Sequence, residues 1–533
     1  MILFVVILIP LFSGILNLLS GRRAALLPRV TTLVLLAADL TILSFLWLRM
    51  IEAPASTSQM HFAYSWQKDW IPQFGISLHL AADGLSILMS VLTTFIGLAV
   101  VVATWHEIKR LRALFYFNLN LVLAGVLGVF LTVDLFLFYL FWELMIIPMF
   151  FIINIWGYEK REHAAMKFFL FTQASGLLML VAIIALYFMH GSHTGLYTFD
   201  FLKLIATPLT AKYSLLLMIG FVVAFGVKLP VFPAHTWLPD AHGEAPTAGS
   251  VVLAALMLKT GAFGLLRFVV PLFHDSLLRI APLGMGLGVA GIIYGGLLSY
   301  SQTNLKRLIA YTSISHLGFV FMGLFVGNVL VIQGIVVLMI GHAFSTGSLF
   351  IFAGYIHERT GTLDMREMGG FSSVFPRLSG FGILFALGAM GLPGLGTFVG
   401  EFLILLGTFE KYPGVASIAS LALIVSVIYA LFMIRKVLHG PEKSEVKALR
   451  LTPRESGVMV VLTILLLIVG LFPRPVFRTL NPFLGNYVPA ATLGSRGEEV
   501  QVSDVFRHAE AAPADRTGDE PVRTIKTREV SDE

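Results

Sequence analysis

Apolar runs about 20 residues long, the length an α-helix needs to cross the hydrocarbon of a bilayer, recur from one end of this chain almost to the other. Read as spans they number about fourteen and fall near 1–20, 30–51, 84–105, 113–133, 135–156, 166–190, 213–232, 247–270, 281–300, 306–326, 329–356, 378–408, 415–434 and 456–473. Lipid offers no hydrogen bonds, so each span must satisfy its own backbone, and an all-α polytopic membrane protein follows. Apolar residues make up 57% of the 533 and charged ones only 13%, which excludes a soluble enzyme. With no cysteine, iron–sulfur ligation, blue copper, thiolate zinc and disulfides are all excluded. The formal charge of +6 does not point to nucleic acid, because most basic residues lie in short loops between spans.

Those loops orient the chain. With the N-terminus outside, the loops after odd-numbered spans hold about 20 Lys and Arg and the others about 7, which is the positive-inside bias. Arg22, Arg23 and Arg29, then Lys109, Arg110 and Arg112, then Lys160 and Arg161, then Lys306 and Arg307 all belong to this set, with a further group from Arg435 to Arg454. The first run has no basic residues before it and reads as an uncleaved span. Both termini are expected on the external, periplasmic side of a bacterial inner membrane. From about Gly494 the composition turns to mixed charge with few aromatics, and residues 490–533 read as a disordered external tail.

Glu143, Lys228 and Glu401 lie in the middle of spans. A charge at that depth persists where it faces a protein interior or a wet path, so ion or proton movement is the first reading. Glu143 and Lys228 are separated by 85 residues, as are His316 and Glu401, and the second pair follows the first by 173. Spans 4–8 (113–270) and 9–13 (281–434) then form two five-helix units of opposite orientation, after an N-terminal group of three (1–105) and before a last helix (456–473). Spans 7 and 12 are also the interrupted ones, at Lys228-Leu-Pro-Val-Phe-Pro and Gly391-Leu-Pro-Gly-Leu-Gly. Proline and glycine there free backbone carbonyls that need polar partners.

Rise per residue puts Glu143 and Lys259 roughly 13 Å deep and His316 roughly 15 Å deep, near the midplane. With His342 these groups make a row along the membrane. Each has a plainer reading: Glu143 and Lys228 as a static ion pair locking two helices, His316 and His342 as buried rings satisfied by Ser313, Ser315 or Ser345, Asp134 as an interfacial anchor, Lys167 as a span flank. As a switch, separating Glu143 and Lys228 from about 4 to about 8 Å at an effective dielectric near 20 weakens their attraction by about 2 kcal/mol. That is comparable to moving a proton against roughly 100 mV, about 2.3 kcal/mol. Lys228 would load a proton, pass it through Lys259 and the histidines, and Glu401 would store or release it.

The segment Gly226-Val-Lys-Leu-Pro-Val-Phe-Pro-Ala-His-Thr-Trp-Leu-Pro-Asp-Ala-His-Gly-Glu-Ala-Pro-Thr resembles the signature of the antiporter-like membrane subunits of respiratory complex I. Asp83-Gly-Leu-Ser, Phe141-Trp-Glu-Leu-Met-Ile-Ile-Pro-Met, Leu305-Lys-Arg-Leu-Ile-Ala-Tyr-Thr-Ser-Ile-Ser-His-Leu-Gly and Met368-Gly-Gly support it, over roughly residues 1–475. The resemblance implies proton translocation by the residues matching Glu143, Lys228, Lys259 and Glu401. Glutamate rather than lysine in span 12 is similar to the M-type branch, and a long lateral helix characteristic of the L-type is not evident. It implies L-type and N-type neighbours in the lipid bilayer, no cofactor in this chain, and flavin, iron–sulfur clusters, NADH and quinone in partner subunits. Two other readings stay open: a subunit of a multisubunit sodium/proton antiporter or membrane-bound hydrogenase, and a haem-bearing cytochrome subunit using the two histidines.

Overall fold

The computed structural model describes residues 1–20, 26–52, 62–441 and 450–485. Arg22 and Arg23, part of the basic group between Arg435 and Arg454, and the 490–533 tail lie outside the described residues. Helix dominates: α1 Ile2–Leu19, α2 Leu27–Glu52, α3 Gly84–Ala103, α4 Arg112–Leu131, α5 Leu135–Trp156, α6 Arg161–Thr194, α7 Ala211–Lys228, α8 Trp237–Glu244. There follow α9 Thr247–Leu272, α10 Ala281–Tyr300, α11 Leu305–Leu324, α12 Val329–Thr360, α13 Pro376–Met390, α14 Gly396–Lys411, α15 Pro413–Leu438, α16 Pro453–Leu471 and α17 Arg474–Gly485. Among the described residues 13 helices are long and apolar enough to cross a membrane. The fourteenth expected span is divided into α13 and α14, each too short alone.

Polar caps set several helix starts. Asp134 accepts from Phe136 N (3.0 Å) and Leu137 N (3.0 Å) to open α5, Asn304 from Arg307 N (3.1 Å) to open α11, and Asn328 from Leu330 N (2.7 Å) to open α12. Each satisfies donors that a helix N-terminus otherwise leaves bare. Consecutive helices pack as neighbours: α4 on α5, α5 on α6 and α6 on α7, then α10 on α11, α11 on α12 and α12 on α14. α9 is buried from Thr247 to Val270 and contains two π-helical stretches, Leu253–Met257 and Leu265–Val269.

Three features depart from the expected all-helical chain of uninterrupted spans. Between α2 and α3 lies an antiparallel hairpin, β1 (Tyr64–Ile71) and β2 (Ile76–Ala82). Its turn needs Gly75, at φ 64°, where a Cβ would also sit 2.0 Å from the Tyr197 carbonyl oxygen. Asp134 anchors the hairpin through Ser77 N (3.1 Å). The helix of span 7 stops at Lys228, earlier than expected, because Pro230 and Pro233 deny it two N–H donors; it resumes only at Trp237. The short helix α17 follows α16 and packs back on α2 and α3, with Trp47 Nε1 donating to Thr479 Oγ1 (2.8 Å).

Candidate functional site

Broken helices leave carbonyls that must be paired, and side chains pair them here. At the end of α7 the Val227 carbonyl accepts from the Trp237 indole (2.9 Å). At the end of α13 the Gly388, Ala389 and Met390 carbonyls accept from the hydroxyls of Thr397, Tyr429 (2.9 Å) and Ser426 (2.9 Å). With these groups satisfied, the interruptions persist in the protein interior. Gly391 closes α13 at φ +78°, a conformation suited to glycine; a Cβ there would stand 3.0 Å from Glu401 Oε2.

Of the six residues singled out in the sequence, four meet. Lys259 on α9 donates to the Ala254 carbonyl (2.6 Å) and lies 2.6 Å from His342 Nδ1 on α12. The His342 and His316 rings are edge to face with centroids 5.7 Å apart. On α11, His316 places Nδ1 2.5 Å from Glu401 Oε1 on α14. All four are buried, none more than 2% exposed. Glycines permit the approach: a Cβ on Gly341, beside His342, would meet the Gly396 carbonyl carbon at 2.6 Å.

Glu143 and Lys228 form a second group. Lys228, fully buried at the C-terminus of α7, has no hydrogen-bond partner for its ammonium among the described residues, and it faces the rings of Trp142 (5.3 Å) and Phe168 (5.4 Å). The helix dipole and the two ring faces favour a cation there. Glu143 is half-buried against Gly176 of α6, with Tyr139 and Gln173 interacting with its carboxylate. The two charges interact through space without forming an ion pair. A locked pair is therefore not what this geometry contains.

Lys228 ends the helix before its interruption, whereas Glu401 lies in the helix after the other one. The dipole favours the cation at the C-terminus of α7, whereas Glu401, six residues into α14, is held by its contact with His316.

Three members were missed from sequence. His242 on α8 is fully buried, stacked on Phe350 (4.5 Å, 16°), with both ring nitrogens unpartnered. It belongs to the 226–247 motif, which was its available signal. Lys306, read as a topological charge, is fully buried and donates to the Ala245 carbonyl (2.9 Å) while facing the Tyr158 ring (4.7 Å). Tyr429 lies 3.4 Å from His316 Nε2; a lone tyrosine in an apolar span carries no signal of its own. Asp134 is the cap and hairpin anchor described above. Lys167 ion-pairs with Asp240 (2.6 Å), which also binds Arg307 (2.6 Å), so α8 is tied to α6 and α11.

A helical membrane bundle with two interrupted helices and a buried Lys–His–His–Glu chain defines an ion-translocating, antiporter-like subunit. Residues 132–432 match the sequence model of the family described as NADH:quinone oxidoreductase/Mrp antiporter, transmembrane. A relative from Pseudomonas aeruginosa, NADH-quinone oxidoreductase subunit M, is 46% identical over 486 residues, covering 89% of this chain and 95% of the relative. The subunit M of Escherichia coli K12 is 44% identical, covering 90% and 96%. Among solved structures, a chain of respiratory complex I from Thermus thermophilus with bound NADH is similar at a TM-score of 0.80 and 29% identity, covering 91% of this chain and 100% of that one. A chain of the archaeal membrane-bound sulfane sulfur reductase reaches 0.77 at 26% identity, covering 89% and 77%. This chain belongs to the NADH:quinone oxidoreductase/Mrp antiporter family, in the branch of the M subunits.

Proposed function

We propose that this chain is a proton-translocating M-type subunit of an NADH:quinone oxidoreductase, multi-pass in a bacterial inner membrane, with L-type and N-type subunits as neighbours. NADH oxidation, the flavin, the iron–sulfur clusters and quinone reduction belong to partner subunits, and this chain supplies the proton path. The observation that carries the reading is the buried sequence of contacts Lys259–His342–His316–Glu401, in a chain this similar to the M subunits. Residues 113–270 and 281–434 are the two inverted units, supported by the same order of helix neighbours in each. Both termini face the periplasm.

In this mechanism Lys228 holds a proton while Glu143 is near and ionised, and gives it up when that carboxylate is neutralised or moves away. His242 and Lys259 stand on the route to the histidines. Lys259 can donate to His342 Nδ1, and an imidazolium at His316 can donate to both Glu401 and the Tyr429 oxygen, so the charge can rest next to a carboxylate. Water carries the step between His342 Nε2, which has no hydrogen-bond partner among the described residues, and the His316 ring. Replacing Lys228 or Glu143 by alanine tests the reading in vesicles containing the assembled complex. The expected result is proton pumping lost or strongly reduced; a proton-to-electron ratio equal to wild type refutes it. The sodium/proton antiporter alternative predicts sodium-dependent turnover, and the cytochrome alternative a Soret band in the isolated chain.

A further inference from the structure

Outside the row just described, Asp39 is the buried carboxylate with the least support. It lies midway along α2 on the helix face that also buries Thr32, Leu36, Leu43 and Leu46, is 0% exposed, and neither oxygen has a hydrogen-bond partner among the described residues. The helices packed around this face offer no counter-charge at its depth. α1 and α3 carry no Asp, Glu, Lys, Arg or His; α4 carries Arg112 and Tyr116 at its N-terminal end; α2 itself adds Arg29 at one end and Arg49 and Glu52 at the other; α17 brings Arg474 and Arg478 to the far end, where the hairpin's Tyr64 donates to the Leu46 carbonyl (3.0 Å). A bare carboxylate in such a place is costly and stays only in a neutralised form.

Polar atoms lead to it from one side only. Asn17 of α1 and Asn120 of α4 both donate to Thr32 Oγ1 (2.9 and 3.0 Å), which sets the register of the three helices. From that level Ser13 lies about 6 Å deeper along α1 and Asp39 about 10 Å deeper along α2. Among the described residues Asn120 Oδ1 and Ser13 Oγ are buried without a hydrogen-bond partner, like Asp39 itself. At the level of Asp39 and beyond it the same helices close with Leu127 and then Val6, Ile7, Leu43 and Leu131, all buried in one apolar cluster. At the other end, near the α1–α2 connection, stand Arg29, over the Trp105 ring (5.2 Å), and Tyr116. That end is cytoplasmic in the orientation proposed above.

We propose that Asp39 is a proton-binding site, separate from the Glu143–Glu401 row, loaded through the Asn120–Ser13 file from the α1–α2 face and closed toward the other side. Water in the file has hydroxyl and amide oxygens to bind. A dead end holds a proton rather than conducting it.

The test uses membranes containing the assembled complex. Treatment with dicyclohexylcarbodiimide, which attacks protonated carboxyls in apolar surroundings, should modify Asp39, located by peptide mass spectrometry, with sodium giving no protection. In infrared spectra one protonated-carboxyl band should be lost in Asp39→Asn, and its exchange in heavy water should slow severalfold in Ser13→Ala. An unmodified Asp39 together with a band unchanged in Asp39→Asn overturns the site. Protection by sodium makes it a sodium site and overturns the proton assignment. Wild-type exchange in Ser13→Ala overturns the route. The carbodiimide arm needs no variant: if Asp39→Asn fails to assemble, an unmodified Asp39 in the wild-type complex by itself overturns the site.

Discussion

His316 and Glu401 are held by a single 2.5 Å contact, and in the proposed mechanism the Glu401 carboxylate takes the proton from His316. Glu401→Gln keeps the size and an acceptor oxygen but removes the charge. The expected outcome is a normal amount of assembled complex with proton pumping reduced by about 10² or more, the scale of a lost acid–base group; measurement is by dye quenching in vesicles beside a native gel. Tyr429→Phe removes the donor to the Ala389 carbonyl and a neighbour of His316 Nε2. A buried carbonyl left unpaired costs about 1–3 kcal/mol, so this variant should lower the melting temperature of the complex as well as its turnover. At this scale Glu143, Lys228, Glu401 and the two histidines were visible in sequence because charged or titratable groups inside apolar runs stand out. Tyr429 and Lys306 did not, since a tyrosine in a span and a lysine at its edge have many uses, and only their neighbours distinguish them.

The interruptions decide the elements. Thr397 pairs the Gly388 carbonyl across the gap between α13 and α14, and Gly341 lets α12 cross at that point. Thr397→Val keeps the volume and removes the hydroxyl, so the loss should again be about 1–3 kcal/mol, read as reduced thermal stability. Gly341→Val should be worse, because its side chain would have to displace backbone of α14 rather than a flexible group; assembled complex should fall sharply on a native gel. Proline and glycine announced both breaks in the sequence. Where each helix stops relative to its charged residue was not announced, because that depends on which carbonyls a neighbouring Trp237, Thr397, Ser426 or Tyr429 can reach.

For the whole molecule the open matter is which side each loop faces. The chain has no cysteine, so a single introduced thiol is a unique reporter. Glu159→Cys, in the α5–α6 connection, should react with an impermeant maleimide only in inside-out vesicles, and Lys68→Cys, on the hairpin, only in right-side-out spheroplasts. The reverse pattern would overturn the proposed orientation and with it the direction assigned to the Asp39 file. The hairpin itself was not foreseen, since helical periodicity and span length say nothing about a strand pair of alternating character between two spans.

Sequence alone determined the membrane class, the span count to within the divided helix, the family, and the titratable residues placed at bilayer depth, because hydrocarbon thickness and the cost of burying charge act on local runs of residues. Tertiary structure decided which of those residues touch. Lys259, His342, His316 and Glu401 come from four helices spread over more than a hundred residues, and their contact depends on glycine crossings and capped carbonyls that no local pattern encodes. The same is true of Asp39, one more polar residue in an apolar run until the packing of α1, α3 and α4 leaves it without a partner.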